Sequence, residues 1–96
     1  MQKKIKIIPK CEKQLNEAME YIAENSPKQA QIMHDQFYNT LNKIGKQPSI
    51  GRPYKKGMRK IKLGKFRYNI YYKEFDKFIS IRGIWHTSRG TAFKEN

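Results

Sequence analysis

The chain has 96 residues, one cysteine and a formal charge of +13. A chain this short forms one domain over residues 1–96 with a modest core, and its lone Cys11 excludes an internal disulfide and fits a reducing compartment. "MQKKIKII" is too short and too charged for a signal peptide, and no apolar run reaches membrane-spanning length, so a soluble cytoplasmic protein with no membrane contact is expected.

"KKIKII" (Lys3 to Ile8) alternates and is β-rich, and Pro9 stops it, which predicts a first strand. From Cys11 to Glu24, Leu15, Ala18, Met19 and Ile22 form the stripe of an amphipathic helix. Ser26 is then a good N-cap, Pro27 suits the first helical position and Gln29 completes a capping box. This second helix carries Ala30, Met33, Phe37, Leu41 and Ile44 on one face and runs to about Gly45. So short a link makes the two helices an αα-hairpin. Cys11, at the start of the first helix, reads as a partly buried structural thiol.

"KQPSIGRPYKKG" (Lys46 to Gly57) has two prolines, two glycines and no periodicity, and reads as a loop. Three strands follow. "MRKIKL" turns through Gly64-Lys65 into "FRYNIYYKEF", and Asp76-Lys77 turns that strand into "FISIRGIWH". The expected architecture is α+β in the order β-α-α-β-β-β, with the helical hairpin packed on a C-terminal antiparallel three-stranded meander.

Those turns set a register in which Lys62 faces Arg67, Tyr71 faces Arg82, Tyr68 faces Trp85 and Arg67 faces His86. One face then holds Ile61, Leu63, Phe66, Tyr68, Ile70, Tyr72, Ile79, Ile81 and Trp85 as core, with Gly83 leaving space for a large neighbour. The other holds Lys60, Lys62, Arg67, Tyr71, Arg82 and His86, with Ile84 its apolar exception. As a core residue, Trp85 is expected to cost roughly 3–5 kcal/mol on truncation to alanine.

Charge is concentrated on the sheet. Residues 1–48 hold eight Lys/Arg against five Asp/Glu, and residues 49–96 hold thirteen against three, a balance of 13 − 3 = +10. Exposed faces ordinarily mix both signs, because like charges opposite one another destabilise a sheet. A one-signed face with Tyr71 among the cations suits phosphates, stacked bases or an acidic partner segment. Lys also blunts sheet edges, which is the plainer reading of such a face.

"IGRPY", "MRKIKLGKFRYNIYY" and "ISIRGIWHTSRG", in this order and at this chain length, resemble the RelE/ParE superfamily of toxins from bacterial type II toxin–antitoxin systems. The resemblance covers essentially the whole chain and implies one of two targets. RelE-like members cut messenger RNA on the ribosome without a metal or other cofactor; ParE-like members poison DNA gyrase. Either kind is neutralised by a small antitoxin.

For the nuclease branch, the resemblance places Lys60 and Lys62 on its lysines, and Arg67 on a phosphate-binding arginine with Arg89 near a second. His86 becomes an acid–base candidate, since its reference pKa lies near neutrality. Tyr71, Arg82 and Phe93 are target-binding candidates. The tail departs from that branch: "TAFKEN" puts Phe93 where a tyrosine is common, and phenylalanine cannot exchange a proton. His86 also lacks a nearby carboxylate in sequence. These departures favour the ParE-like branch, with the RelE-like ribonuclease as alternative. A non-toxic nucleic-acid-binding module is the rival from another class. In the bland reading, Trp85 is core and His86 merely closes the sheet.

Overall fold

The structure, a computed structural model, describes residues 2–88 and 92–94. Strand β1 (Lys4–Ile7) leads into helix α1 (Pro9–Ala23) and helix α2 (Pro27–Lys46). The sheet continues with a two-residue strand β2 (Arg52–Pro53), then β3 (Arg59–Lys62), β4 (Tyr68–Glu74) and β5 (Phe78–His86). The α+β class and the helical hairpin are as the sequence predicts. The sheet is larger than a meander: five strands in the order β1-β5-β4-β3-β2, with β1 parallel to β5. β2 lies in the stretch that reads as loop, and pairs Arg52 with Lys60.

Each helix forms for local reasons. Pro9 occupies the first turn of α1, where its missing N–H costs nothing, and Cys11, Leu15 and Ala18 turn inward at i, i+4 and i+7. Cys11 is fully buried rather than partly so, and desolvation, with help from the Glu12 charge, pushes its thiol up to about 12. In α2 the Ser26 hydroxyl accepts the Gln29 N–H at 3.2 Å, as a cap should. Ala30, Met33, Phe37, Leu41 and Ile44 are all buried, the last four in the main core, and buried Thr40 satisfies itself on the Gln36 carbonyl at 2.7 Å. Neither helix is long and apolar enough to cross a membrane.

The main core lies between the helices and one sheet face, built on Leu63, Ile70, Tyr72, Ile79, Ile81 and Ile84. Tyr72 also fixes the stretch before β2. Its hydroxyl donates to the Pro48 carbonyl at 2.7 Å and accepts the Gly51 N–H at 2.8 Å. Arg59 adds a 2.7 Å bond to the Gly51 carbonyl. Desolvation raises the Tyr72 phenol, opposed by the Gly51 hydrogen bond and the Arg59 charge, with a smaller upward push from Glu74.

Both predicted registers need correction. β3 and β4 pair Lys62 with Asn69 and Ile61 with Ile70, so the connection spans Gly64 to Arg67 rather than Gly64-Lys65 alone. The Leu63 N–H to Tyr68 carbonyl bond, 2.9 Å, closes that longer turn, and Gly64 takes a left-handed φ of 52° within it. The slip is two residues, so every side chain keeps its face, but Arg67 moves out of the strand and into the turn.

The second error flips faces. β4 and β5 start in the expected register, with Glu74 opposite Ile79 and Tyr72 opposite Ile81. A bulge then inserts Arg82, and beyond it Tyr71 faces Gly83, Ile70 faces Ile84, Asn69 faces Trp85 and Tyr68 faces His86. Ile84 thereby joins the main core, where the sequence reading made it an exception. Trp85 leaves that core for the opposite face, and His86 moves to the helix side.

Candidate functional site: a cationic sheet face and a helix-side groove

On the face away from the helices the strands present Lys4, Lys6, Lys60, Lys62, Lys73 and, from the bulge, Arg82, whose guanidinium bonds Ser80 Oγ at 3.0 Å. No acid shares their positions on that face among the described residues. The cations use ring faces as support. Lys6 Nζ lies 4.5 Å from the Phe78 ring centre, Lys60 Nζ 5.4 Å from Tyr54 and Lys73 Nζ 5.5 Å from Phe75.

The middle of this face is not open charge, as the sequence reading has it, but a second small core of Met58, Tyr71 and Phe93 with Tyr54 and Trp85 against it. Phe93, from the chain's C-terminal end, stacks on Tyr71 at 4.3 Å and is 2% exposed. Tyr54 donates to its carbonyl at 3.0 Å. The space comes from Gly83, the residue read as leaving room for a large neighbour, although on the other face. Tyr71 is consequently buried too. Desolvation raises its phenol, which a hydrogen bond with Asn69 opposes and the neighbouring Tyr54 reinforces.

The eight candidate residues therefore separate. Lys60, Lys62, Arg82 and Tyr71 share the open face, but Tyr71 and Phe93 are packed together with no ring face offered to a base. Arg67 stands exposed in the β3–β4 turn, its carbonyl taking the Thr87 N–H at 2.8 Å. This puts it beside the end of β5 without facing His86. Arg89 lies outside the described residues.

His86 lies on the other side of the sheet from the lysines, edge-on to Tyr68 with ring centres 5.0 Å apart. Its Nδ1 accepts the Ser88 N–H at 3.0 Å. There it lines a groove of about 570 Å³ with Tyr68 and the α1 residues Glu17, Ala18 and Tyr21. Glu17 supplies a carboxylate to the His86 neighbourhood, which the sequence alone does not place there, since 69 residues (86 − 17) separate the two.

A solved structure described as "Chromosomal ParDE TA system from P. aeruginosa" has this fold: TM-score 0.80, 18% identity, covering 91% of this chain and 98% of that one. No curated protein matches. The family model of the ParE toxin of type II toxin-antitoxin systems, parDE, matches residues 5–90. The chain belongs to that toxin family, within the RelE/ParE superfamily the motifs resemble, and an antitoxin partner is implied by the two-component system.

Proposed function

We propose that this chain arrests bacterial growth by acting on DNA gyrase, as ParE-like toxins do, and that an acidic antitoxin segment neutralises it on the cationic sheet face. The observation that carries the choice of branch is the bulge at Arg82, which puts His86 on the helix side and Lys60 and Lys62 on the other. A phosphodiester cannot lie against both faces of a sheet, so the residues a RelE-like ribonuclease needs together are apart. Burial of Phe93 removes the ring such a site would use for stacking. Charge supports the partner: lysines on one face, with no acid among them in the described residues, steer an acidic segment that orders on binding.

The test pairs two measurements. Purified protein is added to gyrase and relaxed plasmid, with inhibited supercoiling or trapped cleaved DNA expected. The protein is also induced alone in a bacterial host and mRNA 5′ ends are mapped against a His86→Ala control. Intact mRNA with gyrase inhibition supports the reading. New ends within codons that vanish in the control overturn it in favour of the ribonuclease.

A further inference from the structure

The groove beside α1 runs against the charge of the rest of the chain. Its lining is Glu17, Ala18, Tyr21, Tyr68 and His86, with no lysine or arginine among the described residues, although the chain holds 21 of them against 8 acids. Glu17 is the one carboxylate there, and it takes part in neither ion pair of the described residues, Lys3–Glu74 and His34–Asp35. The other charges of α1, Glu12 and Glu20 against Lys10 and Lys13, balance one another and do not line the groove. The carboxylate that enters the groove is therefore that of Glu17, while the sheet behind is positive.

The walls are aromatic. Tyr68 is packed into the core and edge-on to His86. Tyr21 is 66% exposed, so a large ring face stands uncovered next to Glu17. The His86 Nδ1 lone pair is already taken by Ser88, which puts the neutral ring's hydrogen on Nε2. The imidazole therefore has no free acceptor, and Glu17 is the strong one. A carboxylate beside tyrosine faces is the lining that accepts a cation, and it repels phosphate.

We propose that this groove receives an arginine side chain presented by a protein partner lying along α1, with its guanidinium paired to Glu17 and stacked against Tyr21. Arginine fits better than lysine because its planar guanidinium satisfies a carboxylate with two parallel hydrogen bonds and lies flat on a ring, whereas an ammonium does neither. Only the partner's identity rests on the toxin reading. An antitoxin that covers the basic sheet with acidic residues and then reaches α1 meets the Glu17 carboxylate there, and one arginine would fix its register.

The site is tested without any partner. Nα-acetyl-arginine amide is titrated into isotope-labelled protein and followed by NMR, beside the lysine amide and the neutral norleucine amide. Saturable shifts are expected for the arginine probe at Glu17, Tyr21, Tyr68 and His86. Glu17→Gln should weaken them about two- to fivefold, as loss of an exposed ion pair does, and Glu24→Gln should leave them unchanged. Norleucine binding as tightly as arginine would overturn the proposal and make the groove an apolar slot. Lysine binding as tightly would overturn the choice of guanidinium. Absence of shifts at the limit of probe solubility, or shifts indifferent to Glu17→Gln, would overturn the site itself. Each holds whether or not the chain acts on gyrase.

Discussion

Replacing Gly83 with alanine tests whether the second core is built around a missing side chain. An ideal Cβ at this position lies 2.3 Å from Phe93 Cε1, 2.5 Å from its Cζ and 2.9 Å from Gln14 Oε1. The backbone is not left-handed there, so the penalty is one of contact rather than strain. Gln14 is a long side chain with room to give, though it would loosen its 3.0 Å bond from the Ile84 N–H. Phe93 cannot give without leaving Tyr71. Losing a buried phenylalanine from a core costs about 3–5 kcal/mol, and the freed residue recovers about 2 kcal/mol of ordering entropy. The net loss is therefore about 1–3 kcal/mol, with a midpoint drop of about 4–8 °C per kcal/mol for a domain of this size.

Urea denaturation of wild type, Gly83→Ala, Phe93→Ala and the double variant measures it, with Trp85, the sole tryptophan, as a fluorescent reporter of the aromatic cluster. Once Phe93 is truncated, the added Cβ has space, so Gly83→Ala should then cost less than about 0.5 kcal/mol, strong coupling by the usual standard. An equal cost with and without the Phe93 ring would refute the reasoning, because the glycine would then serve only the bulge.

Tyr72→Phe should cost about 1–3 kcal/mol by stranding the buried Gly51 N–H and the Pro48 carbonyl, read as a lower urea midpoint with faster amide exchange at Gly51. Trp85→Ala should cost about 1–3 kcal/mol, less than for a fully buried residue, because Trp85 is only half-buried in the smaller cluster; thermal melts check it. Cys11 gives a pH dependence with a definite sign. Its folded pKa is raised from 9.0 to about 12, so its contribution is intact below 9.0 and lost as pH climbs through that window. Urea midpoints should fall between pH 8 and pH 11, and less steeply in Cys11→Ala, while Tyr71 and Tyr72 keep some of the slope because their phenols are raised too. Charge reversal at Lys4, Lys6 and Lys73 should slow association with an acidic antitoxin by about tenfold or more at low salt, by stopped-flow, with melting little changed.

The elements and the helix-side core were legible because their signals are local. A cap at Ser26, a stripe from Ala30 to Ile44 and alternation through "MRKIKL" each lie within a few residues. The slip at Gly64 was harmless to the face assignment because it is even-numbered. The bulge was not harmless, although two signs of it stand in the sequence: an isolated glycine inside a strand, and Ile84 alone among cations. Taken together they mark where alternation changes phase, and they would have moved His86 and Trp85 to their true faces. Two further features were beyond local reading. Phe93 folds back onto β5, and Glu17 shares a groove with His86 only because α1 packs against that strand. Both depend on docking across the whole chain, which spacing does not encode.

The pairing of β1 with β5 also sets a timetable. Lys4 lies beside Phe78, so β1 waits 74 residues (78 − 4) for its neighbour during synthesis. At ordinary ribosomal speed of about 5–20 residues per second, that interval is several seconds. Until it ends, Ile5 and Ile7 have no strand to pair against, and the row of lysines running from Lys4 to Lys62 exists only as scattered positions on an open chain. Non-local pairing of this kind also slows refolding. A nascent copy therefore carries its positive charge long before it carries a positively charged surface, and a partner already present in the cell has that delay in which to meet it.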